Sequence, residues 1–134
     1  NLTRTLAIDR SAGPIAVVDG TVYWTSLGGP GDIANGRVMA IALDGGSAVT
    51  LAEGVGTGFS IGVGPRWLYW SGGGTLAGNY RDGMVMRCPR AGCGECLEQL
   101  EVLACEQYKS FDLTIDGSNV YWTTADGVWT LAIP

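Results

Sequence analysis

The sequence predicts an all-β fold, and three observations carry that prediction. One aromatic phrase occurs three times, short β-branched runs are separated by Gly, Asp and Asn turns, and no window has a convincing helical period. The phrase reads Val22-Tyr23-Trp24-Thr25, then Leu68-Tyr69-Trp70-Ser71, then Val120-Tyr121-Trp122-Thr123. Its tyrosines lie 46 and 52 residues apart, the period of a four-stranded propeller blade. An irregular β-sandwich does not predict such a repeat, so the expected architecture is a β-propeller.

Each repeat supplies its strands in the same order. An apolar run comes first: Ile15-Ala16-Val17-Val18, Phe59-Ser60-Ile61-Gly62-Val63, and Phe111-Asp112-Leu113-Thr114-Ile115. The Tyr-Trp phrase is the second strand, joined to the first in two repeats through Asp19-Gly20 and Asp116-Gly117, where a tight hairpin needs positive φ. A third strand follows a glycine turn at Gly36-Arg37-Val38-Met39, Gly83-Met84-Val85-Met86 and Gly127-Val128-Trp129. A fourth, marked by Thr50-Leu51-Ala52 and Val102-Leu103-Ala104, exists only in the first two repeats. The blades are expected at residues 14–54, 59–105 and 111–134.

The strand missing from the third repeat has a counterpart at the N-terminus. Thr5-Leu6-Ala7 matches Thr50-Leu51-Ala52, and Leu6 precedes Tyr23 by 17 residues, against 18 from Leu51 to Tyr69 and 18 from Leu103 to Tyr121. Residues 3–9 are therefore expected to be the fourth strand of the closing blade. Propellers usually carry about four to eight blades. Three blades per chain thus lead to the expectation of a six-bladed homodimer, in which each N-terminal strand completes the last blade of its partner. A three-blade ring in one chain and a piece cut from a longer propeller are the alternatives.

The repeats resemble the six-bladed propeller family with a Tyr-Trp-Thr-Asp signature. They are more similar still to bacterial propeller repeats, through Ile115-Asp116-Gly117-Ser118-Asn119-Val120-Tyr121-Trp122-Thr123 and Gly83-Met84-Val85-Met86-Arg87-Cys88-Pro89. The resemblance implies a binding or scaffolding module. Ser26, Gly72 and Thr124 stand where the signature Asp would be, so any blade-linking role of that Asp is not available.

Composition narrows the function classes. Eight basic against thirteen acidic residues give a net charge of −5, which repels a phosphate backbone and argues against nucleic acid. No run approaches the roughly 18 apolar residues of a membrane-spanning helix. There is no histidine, so Ser-His-Asp and Cys-His catalysis are excluded. Gly72-Gly73-Gly74 and Gly28-Gly29-Pro30-Gly31 lack the Lys-Ser/Thr ending of a phosphate loop. No cofactor is expected.

All four cysteines, Cys88, Cys93, Cys96 and Cys105, fall in the second repeat. An even, local set points to disulfides and hence to an exported, extracellular or periplasmic protein. Of three pairings, Cys88–Cys93 with Cys96–Cys105 is preferred, because the first closes a turn and the second staples the outer strand to its approach. Free thiols and a thiolate metal site are the alternatives, although paired Cys-x2-Cys knuckles are missing.

The long loops between second and third strands, residues 27–35 and 73–82, are the expected binding face, since loops held by a rigid scaffold carry function. Asp32, Asn35, Asn79, Tyr80, Arg81 and Asp82 mix aromatic and polar groups suited to a glycan or a peptide. Trp67 falls off the aromatic repeat and is the candidate for a stacking contact. Trp24, Trp70 and Trp122 are expected to pack between blades. The leading expectation is a non-catalytic binding or scaffold module; the alternatives are a propeller hydrolase or lyase using loop carboxylates with Arg81, and a purely structural assembly unit.

Overall fold

The computed structural model describes residues 2–28, 35–54, 56, 58–94 and 97–134. Eleven strands form three antiparallel sheets, with no α-helix among the described residues. The first sheet runs β1 (Ala12–Val18), β2 (Thr21–Ser26), β3 (Arg37–Ala42), β4 (Val49–Glu53) in spatial as in chain order. The second repeats that meander with β5 (Gly58–Val63), β6 (Trp67–Gly72), β7 (Gly83–Pro89) and β8 (Glu101–Gln107). The third has β9 (Leu113–Ile115), β10 (Asn119–Thr124) and β11 (Gly127–Ala132), with β10 in the middle. The first strands stand side by side, β1 next to β5 and β5 next to β9, so the sheets succeed one another like blades.

Alternation along the second strand gives each blade two faces. Val22 and Trp24 point to one face with Met39 and Ile41; Tyr23 and Thr25 point to the other with Val38 and Ala40. The cores lie between sheets. Tyr23, Val38 and Ala40 of the first blade meet Ile61, Leu68, Trp70, Met86 and Cys88 of the second. One blade on, Tyr69 and Val85 meet Leu113, Val120 and Trp122. In each case the tyrosine face of one blade covers the tryptophan face of the next. The outer strand contributes to both layers, through Leu51 and Ala52 in one and Leu103 and Ala104 in the other.

The third cluster has only one of its two sides. Among the described residues, Val22, Trp24 and Ile41 are covered by Leu6 and Ala7, with Met39 beside them. Residues 2–9, expected to include a fourth strand, are not a strand in the single chain. They lie instead against the first blade, where the Arg4 guanidinium also donates to the Leu43 carbonyl. Among the described residues, the edge they were expected to complete, β11, pairs with β10 alone.

Turn chemistry follows the sequence at one hairpin and departs from it at the other. Asp19 and Gly20 have φ of 49° and 73°, and Val18 pairs with Thr21 across them, as a two-residue hairpin of this twist requires. At the second hairpin only Gly117 is left-handed, with φ 93°. Asp116 there accepts from the Ser118 and Asn119 amides (2.9 and 2.8 Å) and from the Tyr121 hydroxyl (2.7 Å). These donors hold its carboxyl down at about 2. Ile115 pairs with Val120 and the Asp116 amide donates to the Asn119 carbonyl at 3.2 Å, so the two turn residues are Gly117 and Ser118, shifted by one from the first hairpin and with positive φ only at the glycine.

Cys88 and Cys93 form a disulfide with Cα atoms 5.2 Å apart, an ordinary span for such a bridge. Both are fully buried, and the Cys93 amide donates to the Leu51 carbonyl of β4 at 2.9 Å. The bridge therefore pins the β7–β8 connection onto the outer strand of the preceding blade. Cys105, on β8, is a free and exposed thiol. Its expected partner, Cys96, lies outside the described residues.

The three repeated indoles are set differently. Trp24 donates its N–H to Asp9 at 2.8 Å and Trp122 donates to Gln107 at 2.7 Å; both acceptors lie 15 residues upstream. The Asp9 carboxyl is shifted below its usual value. Burial opposes that shift, but donors from Trp24, Ser11 and Ser26 outweigh it, with Arg37 adding charge attraction. The Trp70 N–H is buried and finds no acceptor among the described residues. The corresponding upstream residue is Val55, which lies outside them and whose side chain has no acceptor.

Candidate functional site

The β6–β7 loop, residues 73–82, is folded upon itself by one carboxylate. Asp82 accepts from the Thr75 amide at 2.7 Å and from the Thr75 hydroxyl, and that hydroxyl in turn accepts from the Gly78 amide at 3.0 Å. The Thr75 donors hold the Asp82 carboxyl below its usual value. Backbone bonds from Tyr80 to Thr75 (2.7 Å), Asn79 to Leu76 and Arg81 to Gly78 (both 3.0 Å) complete the coil. Asn79 and Tyr80 are forced into the left-handed region at φ 52° and 58°, a conformation that costs non-glycine residues free energy.

That loop is fastened to the connection between β8 and β9. The Lys109 amide donates to the Tyr80 carbonyl at 2.8 Å, and Lys109 is itself left-handed at φ 49°. Next to it, the Ala125 amide at the β10–β11 turn donates to the Tyr108 carbonyl at 2.9 Å. Loop, connection and neighbouring hairpin are thus tied through two backbone hydrogen bonds.

The side chains over this junction alternate between cation and ring. The Arg81 guanidinium stands 4.4 Å from the Tyr108 ring centre. The Lys109 ammonium lies 5.5 Å from both the Tyr80 and the Tyr108 rings. Such stacking holds the charges in place while leaving their hydrogen-bonding edges outward. Arg81 and Tyr80 are exposed, and Phe59 and Phe111, about half exposed, stand at the same end of the sheets. Rigid aromatic surface with an embedded Arg is the composition of recognition hot spots.

The expected residues divide accordingly. Asn79, Tyr80, Arg81 and Asp82 come together in one ordered loop, with the exposed Asp82 carboxylate as the acceptor that builds it. Asn35 is exposed just before β3, and Asp32 lies outside the described residues. Trp67, the separate stacking candidate, is partly buried and lies apart from that loop. It begins β6, whereas the loop leaves from the other end of that strand at Gly72. Its ring carries the Arg87 guanidinium at 4.3 Å, which is paired with Glu101 at 2.8 Å. Trp67 lines a separate cavity of 170 Å³ with Gly64, Tyr69, Ile115 and Ile133. Sequence reasoning missed Tyr108 and Lys109. The available signal was their position in a connection between blades, on the loop side, with Lys109 the one lysine of the chain.

Among the described residues, no cluster of His, Cys, Asp and Glu could hold a metal ion. No helix among them is long and apolar enough to cross a membrane. No family model matches the chain, and no curated protein does. Among solved structures, the chain is similar to one in the crystal structure of a nidogen/laminin complex, with 22% identity and a TM-score of 0.61. The likeness covers 84% of this chain and 39% of that one, so the present chain spans under half of its neighbour's length. At that identity the match speaks to fold alone, and the fold is that of a β-propeller-like stack of blades.

Proposed function

We propose that the chain is a non-catalytic binding module whose contact surface is the loop side of the second blade. The observation that carries this reading is the Arg81–Tyr108–Lys109–Tyr80 alternation, held by left-handed backbone at Asn79 and Tyr80 in the loop and at Lys109 in the connection fastened to it. Between a glycan and a peptide, the cluster favours a peptide. The tyrosine faces are already taken by cations, which weakens the case for sugar stacking. The outward groups are a guanidinium and an ammonium, suited to carboxylates of an acidic segment. The binding-competent form is a six-bladed ring of two copies, which brings two such clusters into one particle and gains avidity for repeated ligands. The buried disulfide supports an exported protein.

The test is titration with a panel of acidic peptides and neutral oligosaccharides, followed through backbone amide resonances. Shifts at residues 76–82 and 107–110 with peptide, weakened about tenfold by Arg81→Ala, are the expected result. Shifts with oligosaccharide alone reverse the ligand class. Binding that leaves those amides unmoved, or turnover of a ligand, overturns the reading.

A further inference from the structure

We infer that the cavity between the second and third blades is a binding site for a small aromatic acid, one ring that bears a carboxylate. The cavity lies at the Trp67 end of β6, away from the β6–β7 loop, and does not depend on the peptide surface proposed above. Three observations carry it. The first is that the chain fills the same place at the boundary between the first and second blades. There Arg90, which follows β7, reaches back to the first blade. It donates to the Tyr23 hydroxyl at 2.8 Å, to Asp19 at 2.8 Å and to the Val18 carbonyl at 3.3 Å. Beyond Arg90 the chain turns to the outer strand, where the Cys93 amide meets the Leu51 carbonyl. The Arg90 side chain itself therefore occupies the place.

The second observation is that smaller residues stand at the next boundary. The Arg90 amide donates to the Arg66 carbonyl at 2.9 Å and the Ile133 amide to the Ser118 carbonyl at 2.8 Å, so Ile133 is the counterpart of Arg90. Val18 pairs with Thr21 across the first hairpin, and the Gly64 amide donates to the Trp67 carbonyl across the second, so Gly64 is the counterpart of Val18. Isoleucine in place of arginine and glycine in place of valine open 170 Å³ against Tyr69, the counterpart of Tyr23. A Cβ on Gly64 would meet Ile115 at 3.4 Å and Tyr69 at 3.6 Å, both ordinary contacts, and its backbone is not left-handed. Nothing in the fold demands a glycine there. An apolar cavity of about 150 Å³ holds one benzene ring.

The third observation is the chemistry of the walls. Trp67 stands where the first blade has Thr21, and the Arg87 guanidinium, paired with Glu101 at 2.8 Å, lies 4.3 Å from its ring centre. With Tyr69, Ile115 and Ile133 it offers flat and aliphatic surface to a ring. Arg66, also in the lining, is exposed and has no carboxylate partner among the described residues. No carboxylate lines the cavity: Pro65 takes the place of Asp19, and on the facing hairpin Asp116 is turned to the Tyr121 hydroxyl. Aromatic walls with one unpaired cation beside them select a ring that ends in an anion.

The experiment titrates the 134-residue chain with benzoate and with benzyl alcohol, followed through backbone amide resonances. Saturable shifts at residues 64–69, 115–117 and 133 with benzoate are the expected result. Binding is expected to weaken about tenfold for benzyl alcohol, and about tenfold for benzoate with Arg66→Gln. Gly64→Val returns the first blade's residue and is expected to weaken benzoate about tenfold by filling the cavity, with far-UV circular dichroism unchanged. Ile133→Arg fills it from the other wall and makes the same test independently. Benzyl alcohol bound as tightly as benzoate, or indifference to Arg66→Gln, overturns the assignment to an acid. Shifts that never saturate, or that survive both filling variants, overturn the site.

Discussion

The second and third blades carry the same strand phrases and differ in what surrounds them. The second is covered on both faces and finished by β8; the third is covered on its tryptophan face only and ends in the bare edge of β11. The difference teaches that the repeat encodes two half-contacts per blade rather than a self-sufficient core. A Tyr-Trp phrase commits its tryptophan to the blade before and its tyrosine to the blade after. Val85 and Val128 are the same residue at the same strand position, and only the neighbour decides whether that residue is interior.

Substitutions that exploit this pairing break or sharpen the comparison. The largest effect is expected at Trp70, fully buried between the first and second blades. Trp70→Ala lowers stability by about 3–5 kcal/mol in urea unfolding, and a loss under about 1 kcal/mol contradicts the inter-blade core. Next comes the bridge beside it. Opening Cys88–Cys93 through a double change to alanine costs about 2 kcal/mol, the loop-entropy value for so short a ring. The paired Val→Ala changes follow. At Val85 the cost is about 2 kcal/mol. At Val128, in dilute single chains, it stays within about 0.5 kcal/mol. Equal costs at the two positions at low concentration dissolve the contrast between the blades.

The smallest expected effect concerns Asp116 at the β9–β10 turn. Its folded value, about 2, lies below the ordinary 3.8, so its contribution is present above the unfolded value and is lost as pH falls from about 4 through about 2. The melting difference between the native chain and Asp116→Asn should therefore narrow over that window. A difference that is constant with pH assigns the stability to turn geometry instead.

The fold was legible because its signal is redundant. Three copies of one phrase, each flanked by apolar runs and turns, determine strand order even where a turn departs from pattern, as at Asp116-Gly117-Ser118. The site was legible in part. Asn79 through Asp82 stood out as polar residues in a long loop, but which of them builds and which presents is set by hydrogen bonds with Thr75, and composition cannot separate these roles. Tyr108 and Lys109 escaped because their membership depends on how the next blade's connection folds back across the loop. Trp67 was legible as a partly exposed ring beside a hairpin because it breaks the aromatic repeat, but its stacking partner was not. Its strand position places it at the far end of β6, under Arg87.

The three indoles at one strand position have a practical consequence. One N–H points to a carboxylate, one to a carboxamide and one to no acceptor among the described residues. Their side-chain protons therefore resonate in three distinct electrostatic settings, and the hydrogen-bonded pair should move downfield of the third. The repeat thus contains its own set of reporters, one per blade. The Trp24 signal follows the protonation of Asp9 at the open face, Trp122 follows the join between second and third blades, and Trp70 marks the layer that the disulfide overhangs. Binding, reduction and association can be told apart in a single proton spectrum without adding a label.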